Sequence, residues 1–242
     1  MFKLLLCLLI SSPLYAQTLK PKALVYGGPG ACQEDCVTGA VESARLAGFT
    51  PVLVYPETFQ ASDLKDAKVW IQPGGKSSQA AKAMGSTMLG QIKAFVKNGG
   101  GYVGYCAGAF LTTAKIGTTG NTGLGIVPGR TILYNARDYI TMENMELKNS
   151  AGVVSTKHIY WEGGPYFTFT PEEKKFVSVR GTYVRTGQIG AVRRNYYQGR
   201  IFVTGAHPEA PKWWRDSMNL IDRDGLDYDV TTDMIKWAAR QI

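Results

Sequence analysis

Short apolar runs alternate with amphipathic segments through the first half of the chain. The amphipathic segments, at about 35–47 and 87–98, carry apolar residues at the spacing of one helix face and predict helices. The apolar runs are four or five residues long, as is typical of buried strands, and lie at 23–26, 51–55, 68–72 and 101–105. This order predicts an α/β domain with a doubly wound, mostly parallel, flavodoxin-like sheet and helices on both faces.

Glycine-rich turns follow the first, third and fourth predicted strands. Ligands of parallel sheets bind beyond the carboxyl ends of the strands, so these turns are expected to line one crevice. The first turn contains Gly28 and the second contains Gly74 and Gly75. Because the first turn lacks the lysine of a P-loop, we interpret it as a wall of a substrate pocket rather than as a phosphate site.

Beyond residue 130 the pattern changes to β-like segments with few helical patterns among them. These segments predict antiparallel strands added to the parallel sheet, with Gln198–Gly199 as the turn of a hairpin between the last two. Two helical patterns follow, at 212–220 and 231–241. The β-like segments are 131–134, 157–161, 176–184, 189–196 and 200–204.

The first sixteen residues, Met1–Ala16, have the features of a secretory signal. Lys3 precedes the apolar run Leu4–Ile10, and Leu14–Ala16 resembles a cleavage site. We therefore predict one exported domain at residues 17–242, periplasmic or secreted. No later apolar stretch approaches the ~20 residues that span a bilayer, so no stable membrane insertion is expected.

The chain is basic, with 27 Lys and Arg residues against 19 Asp and Glu and a net charge of +8. The basic residues are spread along the chain, and the densest group, at 193–200, is explained by the predicted hairpin. We therefore expect no nucleic-acid partner. The expected partner is a small-molecule or peptide substrate.

Three cysteines remain after the predicted cleavage: Cys32, Cys36 and Cys106. The spacing of Cys32 and Cys36 allows a local disulfide if Cys32 lies in the loop before the helix that Cys36 begins. That pairing would leave Cys106 as a free thiol. The chain has two histidines, and neither has metal-ligand spacing to the cysteine pair, so we predict no metal and no cofactor.

Cys106 lies in the sequence Gly104-Tyr105-Cys106-Ala107-Gly108, the thiol counterpart of the G-x-S-x-G nucleophile elbow. Such a turn from strand to helix is so sharp that only small neighbours fit around the nucleophile. It exposes the thiol above the sheet at the amino end of a helix, where the positive end of the helix dipole stabilises a thiolate. The N–H of Ala107 is then directed toward a developing oxyanion.

A base for this thiol is available at His207, directly after the last predicted strand. Glu209 follows two residues later and would orient the ring, which completes a Cys-His-Glu arrangement. A histidine that merely closes a loop beside Pro208 is the alternative, and the elbow cysteine favours the catalytic interpretation. His158, inside a predicted strand, is interpreted as a structural or surface residue.

These motifs together resemble the class I glutamine amidotransferase-like superfamily, and above all the amidotransferase-like N-terminal domain of biotin-protein ligases. The resemblance extends over residues 22–210. It rests on LVYGGPGA, QPGG, GYCAGAF, GLGIVPG, IYWEGGPYF and TGAHPE, in that order.

The resemblance implies roles for particular positions. Cys106 matches the nucleophile, His207 the base and Glu209 its carboxylate partner. Gly75 matches the loop that supplies a second oxyanion N–H beside that of Ala107. The same resemblance implies that Gly163 and Gly164 border the substrate pocket. Glu162 stands where a neutral residue is expected, which leaves the substrate class open.

Two functions are compatible with this sequence. One is an exported cysteine-dependent hydrolase of a small amide, peptide or ester; glutamine amidotransfer itself is not expected, because we find neither a P-loop nor a synthetase domain. The other is a non-catalytic module that binds a ligand or senses redox state with the same pocket, in which Cys106 could exchange with Cys32 or Cys36.

Overall fold

The computed structural model describes residues 19–242, so the predicted signal segment at Met1–Ala16 lies outside the described residues. All strands of the described part belong to one sheet. They are β1 (Lys22–Tyr26), β2 (Thr50–Val54), β3 (Ala67–Gln72), β4 (Gly101–Tyr105), β5 (Arg130–Leu133), β6 (Ile140–Lys148), β7 (Val154–Glu162), β8 (Pro165–Thr168), β9 (Ser178–Tyr183), β10 (Ile189–Tyr196) and β11 (Gly199–Thr204). The helices are α1 (Cys36–Leu46), α2 (Ser77–Lys97), α3 (Ala107–Phe110), α4 (Pro171–Lys174), α5 (Lys212–Ser217) and α6 (Tyr228–Ala238).

One half of the sheet is parallel, in the order β2-β1-β3-β4-β11. Side chains of β1 alternate between its two faces: Leu24 and Tyr26 pack in the core with α2, while Ala23 and Val25 pack with α1 and α6. Both faces are therefore covered by helices, which is why these strands are apolar throughout. The predicted doubly wound α/β class is confirmed.

Two helices differ from the sequence prediction. α2 begins at Ser77, whereas the pattern predicts a start near Thr87. Gly85, with φ 61° and ψ 176°, interrupts the helix, so the apolar pattern is continuous only after it. α3 has a single turn, so its dipole is small and stabilises a thiolate at Cys106 less than a long helix would. The free N–H groups at the start of α3 still lie next to Cys106.

The second half of the sheet is antiparallel, as predicted, and continues as β11-β10-β9-β6-β7 with β8 and β5 attached at β10. β6 and β8 were not among the predicted strands. The hairpin turn is also shifted by one residue: Tyr196 pairs with Gly199, so the turn is Tyr197–Gln198, and Tyr197 adopts a positive φ of 52°.

β7 lies at the far end of the strand order, yet its carboxyl end meets those of β4 and β11. The N–H of His207, just after β11, donates to the carbonyl of Tyr160 in β7 at 2.9 Å. Nearby, Gly164 lies so close to the backbone of Gly205 that no Cβ would fit between them. The sheet thus curls round and places three strand ends at one crevice. Among residues 19–242, no helix has the length and apolar character needed to cross a bilayer.

Candidate active site

Cys106 occupies a strained turn between β4 and α3, with φ 47° and ψ −103°. A positive φ is costly for any residue with a Cβ and is typical of functional sites. The turn also needs its two glycines. A Cβ on Gly104 would lie 2.6 Å from the backbone of Gly108, and one on Gly108 would overlap the carbonyl oxygen of Gln72. The sharp strand-to-helix turn predicted from the sequence is therefore the local geometry of this chain, while the role of Cys106 as a nucleophile stays a prediction.

Two backbone N–H groups border the elbow without a protein acceptor among the described residues: those of Ala107 and Gly75. Ala107 is the first residue of α3, so its N–H has no partner within the helix. Gly75, with φ 127°, forms an isolated bridge with Ala31 in which the flanking residues make the hydrogen bonds. Both N–H groups are available to donate to a bound oxygen, and their role as an oxyanion hole stays a prediction.

His207 is held in a fixed orientation beside this turn. Its Nδ1 atom lies 2.8 Å from Oε1 of Glu209, and both side chains are almost completely buried. The edges of Tyr160 and Trp214 pack against the imidazole, with ring centroids 5.9 Å and 5.5 Å from it. Glu209 thus fixes the ring through Nδ1, and Nε2 is left for chemistry.

The electrostatic environment favours the charged form of His207. Burial lowers its pKa, but the Glu209 carboxylate and the Cys106 sulfur together outweigh burial and raise the pKa of His207 well above its ordinary value. At neutral pH the ring is therefore an imidazolium. A positive charge at this position stabilises a thiolate at Cys106.

Cys106 and His207 line one cavity of about 190 Å³, which we call the Cys106 cavity. Gly75 and Gly163 are also part of its wall. The remaining lining residues come from the loop before α1, the segment around β6 and β7, and α5; they are Cys32, Asp35, Cys36, Tyr139, Ile140, Tyr160, Glu162, Trp213, Trp214, Ser217 and Met218. A larger open groove of about 910 Å³, lined by residues such as Phe95 and Arg240, lies away from these groups.

Glu162 contributes both its backbone and its side chain to this cavity. The thiol of Cys106 donates to the carbonyl oxygen of Glu162 at 3.3 Å. The hydroxyl of Tyr160 donates to Oε2 of Glu162 at 3.1 Å. Burial and the adjacent Glu162 carboxylate raise the pKa of Tyr160, so the phenol stays protonated and keeps this hydrogen bond. The carboxylate is thereby anchored in the wall of the Cys106 cavity.

The predicted cysteine pair lies at the same cavity. Cys32 is in the loop and Cys36 is the first residue of α1, so the spatial condition for a local disulfide is met, although all three thiols are free in this structure. A hydrogen bond from Cys36 holds the pKa of Cys32 below its ordinary value. This hydrogen bond, followed by burial, raises the pKa of Cys36. The disulfide stays a prediction.

The four glycines assigned to the pocket have different surroundings. Gly163 lines the cavity, whereas Gly74 lies directly under the His207 ring and the Cys36 sulfur, where a Cβ would collide. Gly28 packs against Tyr26 and Pro56, and Gly164 packs against Gly205, so neither is part of the cavity wall. Their role is close packing rather than the predicted contact with substrate.

The aromatic wall was not assigned from the sequence. Tyr160, Trp213 and Trp214 form one side of the cavity, and Trp214 contacts the His207 ring. The position of the two tryptophans in the sequence could have identified them. α5 begins only three residues after Glu209, so its residues must lie near the site.

A second group of polar side chains lies outside the cavity. The fold brings His158, Asp222 and Asp224 within 4.8 Å of one another, a cluster that the sequence spacing did not reveal. Asp222 pairs with Arg215 at 2.6 Å, and Asp224 accepts from the N–H of His158 at 2.9 Å. Both carboxylates therefore have partners, and the assignment of His158 as a structural or surface residue stays a prediction.

Comparison with known proteins shows which family part of this chain resembles. The family model for the N-terminal part of biotin-protein ligase matches residues 22–138, which include the Cys106 elbow. This segment is therefore similar to the N-terminal part of biotin-protein ligases. The resemblance indicated by the sequence motifs is thereby confirmed. His207 and Glu209 lie beyond the segment that the family model matches.

A curated relative is the biotin-protein ligase of Schizosaccharomyces pombe, 26% identical over 212 residues. The alignment covers 77% of this chain but only 33% of the relative. The chain therefore spans about a third of the length of the ligase that it matches.

Solved structures show the same fold at low identity. PurLQS from Thermotoga maritima aligns with a TM-score of 0.57 and 18% identity, over 79% of this chain and 89% of that one. A Thermoplasma acidophilum protein assigned as part of a GMP synthase gives a TM-score of 0.59 at 12% identity, over 93% and 98% of the two chains. The fold is that of the glutamine amidotransferase-like class.

Proposed function

We propose that this protein is an exported cysteine hydrolase that cleaves a small amide, peptide or ester. One observation carries the proposal: a cysteine in a strained elbow shares a buried cavity with an imidazolium that a buried carboxylate holds in place. A structural cysteine needs neither the strain nor the adjacent charge.

The proposed reaction uses three groups of the site. The Cys106 thiolate attacks the substrate carbonyl carbon, and the N–H groups of Ala107 and Gly75 stabilise the negative oxygen that forms. The imidazolium of His207 gives its proton to the leaving amine or alcohol, which departs and leaves an acyl-enzyme. Water then gives a proton to the neutral His207 ring and attacks the thioester. The carboxylic acid leaves, and the Cys106 thiolate and the His207 imidazolium are restored.

Glu209 acts through His207 rather than on the substrate. It accepts the Nδ1 proton at 2.8 Å, fixes the tautomer and compensates the ring charge in a buried environment. The cavity volume of about 190 Å³ admits only a small group beside the sulfur. The scissile bond therefore belongs to a small molecule or to an exposed peptide segment rather than to a folded protein.

Export forms the second part of the proposal and rests on the signal-like segment Met1–Ala16. We expect the mature protein outside the cytoplasm with its amino terminus at Gln17. Intact-mass analysis of fractionated cells tests this expectation. A full-length protein that stays in the cytoplasm contradicts it.

The hydrolase proposal is tested with a panel of fluorogenic amides and esters and with mass spectrometry of the quenched enzyme. We expect turnover of at least one substrate and a covalent acyl adduct on the peptide that contains Cys106. Cys106→Ala should abolish both, while the matched control Cys32→Ser/Cys36→Ser keeps both. An adduct on another residue, or activity that survives Cys106→Ala, contradicts the proposal.

A redox-sensing module is the second candidate, because three thiols line a single cavity. An external disulfide such as oxidised glutathione would form a mixed disulfide with one thiol and release glutathione. A second thiol would then displace another glutathione and leave an internal disulfide. Peptide mapping after this treatment distinguishes the candidates: a bond from Cys106 to Cys32 or Cys36, without hydrolysis of any substrate, favours the sensor.

A further inference from the structure

The charged side chains of the Cys106 cavity are unlike those of the protein as a whole. The chain carries a net charge of +8, yet none of the described Lys and Arg residues lines this cavity. Two carboxylates, Asp35 and Glu162, lie in its wall, together with the aromatic rings of Tyr139, Tyr160, Trp213 and Trp214. The positive charge of His207 is balanced by the thiolate form of Cys106 beside it, so these two carboxylates are the uncompensated charges of the wall. Cys106 and His207 are the reacting groups of the proposed function. The carboxylates and aromatic rings around them therefore determine which substrates enter the cavity.

Glu162 places one negative charge in the wall of the cavity that holds the Cys106 sulfur. Its backbone carbonyl accepts from Cys106 at 3.3 Å, and its carboxylate is anchored by the Tyr160 hydroxyl at 3.1 Å. The Coulomb energy between unit charges several ångströms apart in a partly buried site is on the order of 1–2 kcal/mol. This carboxylate therefore has a measurable effect on any charged group that approaches the sulfur.

Asp35 supplies the second negative charge, from the residue that precedes α1. Its carboxylate lies 3.5 Å from the Cys32 sulfur. An adjoining outer groove shares Cys32, Gly75, Tyr139 and Glu162 with the cavity and adds the exposed Lys76. This lysine is exposed, whereas Asp35 and Glu162 are half-buried, and it forms no ion pair with either carboxylate.

The aromatic rings strengthen this preference. Tyr160 and Trp214 pack edge to face at 5.2 Å between ring centroids, and Trp213 packs edge to face on Trp214 at 6.1 Å. Aromatic faces attract cations, by ~0.5–2 kcal/mol depending on desolvation. Carboxylates next to aromatic rings form a site for ammonium or guanidinium groups and repel carboxylates and phosphates.

We propose that the Cys106 cavity selects substrates that carry a cationic ammonium or guanidinium group close to the bond that is cleaved. The proposal rests on Cys106 being the nucleophile of the proposed function. Glu162 and Asp35 are assigned as its specificity-determining residues.

The test measures selection without requiring turnover. A Cys32→Ser/Cys36→Ser background leaves Cys106 as the thiol of the mature chain. Methanethiosulfonate reagents react with it in one step: the thiolate attacks the sulfenyl sulfur, a mixed disulfide forms and methanesulfinate leaves. The three reagents carry trimethylammonium, methyl and sulfonate groups, and each rate constant is divided by that measured with N-acetylcysteine.

We expect the cationic reagent to react about tenfold faster than the neutral one, and the anionic reagent more slowly than both. Glu162→Gln and Asp35→Asn should each reduce the cationic-to-neutral ratio several-fold. Glu172→Gln, which changes the net charge equally on exposed α4, should leave the ratio unchanged. Equal normalised rates for all three reagents overturn the proposal, even if the protein hydrolyses amides or esters.

A binding measurement covers the case of an unreactive thiol. Benzamidine and benzamide have nearly the same shape and differ in charge, and Trp213 and Trp214 report their entry by fluorescence. Saturable quenching by benzamidine alone, lost in Glu162→Gln, supports cation selection even where hydrolysis fails. Quenching by both compounds, or by neither, overturns it.

Discussion

The Nδ1 atom of His207 lies 2.8 Å from Oε1 of Glu209, with both side chains removed from solvent. A buried imidazole loses its charge unless a negative group compensates, and here Glu209 does so directly while the Cys106 sulfur adds to the effect. The pair makes His207 a charged group at neutral pH inside the protein. A proton donor is thereby available next to Cys106.

This charge state can be observed directly, because the chain contains two histidines. In a proton NMR titration of the ring Cε1 signals, His207 should titrate well above 6.5. His158 should titrate below 6.5, because burial followed by the nearby Arg223 lowers its pKa. His158→Gln assigns the two signals. A His207 signal that titrates at or below 6.5 contradicts this account of the site.

Glu209→Gln tests the cause of the raised pKa. The amide keeps the size of the side chain but removes the charge, so the largest compensation for burial is lost and the pKa of His207 should fall. With less of His207 in the imidazolium form, kcat/KM of the proposed hydrolysis should fall by roughly 10²–10⁴. Glu34→Gln, an exposed carboxyl before α1, is the charge-matched control and should change neither quantity.

Gly108→Ala tests why glycine surrounds the cysteine. Its Cβ would overlap the carbonyl oxygen of Gln72, so we expect a loss of unfolding free energy of about 2–4 kcal/mol in urea denaturation. Gly90→Ala in α2 is the matched control, because nothing lies within 4 Å of its Cβ position. Helix propensity should make that variant slightly more stable, by up to ~1 kcal/mol. Equal stability of the two variants contradicts the close packing at the elbow.

Arg215 ties α5, and with it the tryptophan wall of the cavity, to the rest of the fold. Its buried guanidinium pairs with Asp222 at 2.6 Å and with Asp227 at 3.1 Å. Arg215→Met leaves Asp227 buried without that partner and should cost roughly 3–5 kcal/mol of unfolding free energy. Lys212→Met removes an exposed pair with Asp216 from the same helix and should cost at most ~1 kcal/mol.

The cost of Arg215→Met should also depend on pH. Burial raises the pKa of Asp227 to about 7 even with Arg215 present, and removal of the guanidinium should raise it further. A carboxyl whose pKa is raised by folding contributes stability at low pH and loses it as the pH rises through that pKa. The variant should therefore lose more stability at pH 8 than at pH 5. A loss that is the same at both pH values contradicts the assignment of Asp227.

Much of the fold and the reactive centre followed from local patterns. The strands β1 to β4 were predicted because they are continuous apolar runs. The sharp turn at Cys106 was predicted because such crowded turns require glycine at fixed positions on both sides. β6 was missed because the sequence of Ile140–Lys148 has low intrinsic β-propensity; its strand state depends on pairing with β7 and β9.

The walls of the cavity depend on contacts between distant parts of the chain. Glu162 ends a strand that lies far from β4 in the strand order, and only the curling of the sheet brings its carbonyl to Cys106. Nothing in the local sequence encodes that approach. Gly28 and Gly164 show the opposite case: their sequence context resembles a pocket, whereas their neighbours show that they serve close packing.

The most direct test of an activated thiol at Cys106 is the pH dependence of its alkylation by iodoacetamide. The measurement uses the Cys32→Ser/Cys36→Ser background, with and without His207→Asn. The account predicts that Cys106 is alkylated faster than N-acetylcysteine at pH 6.5, and that His207→Asn removes this advantage. A profile that follows an ordinary thiol in both proteins, with His207 without influence, would contradict the proposed function.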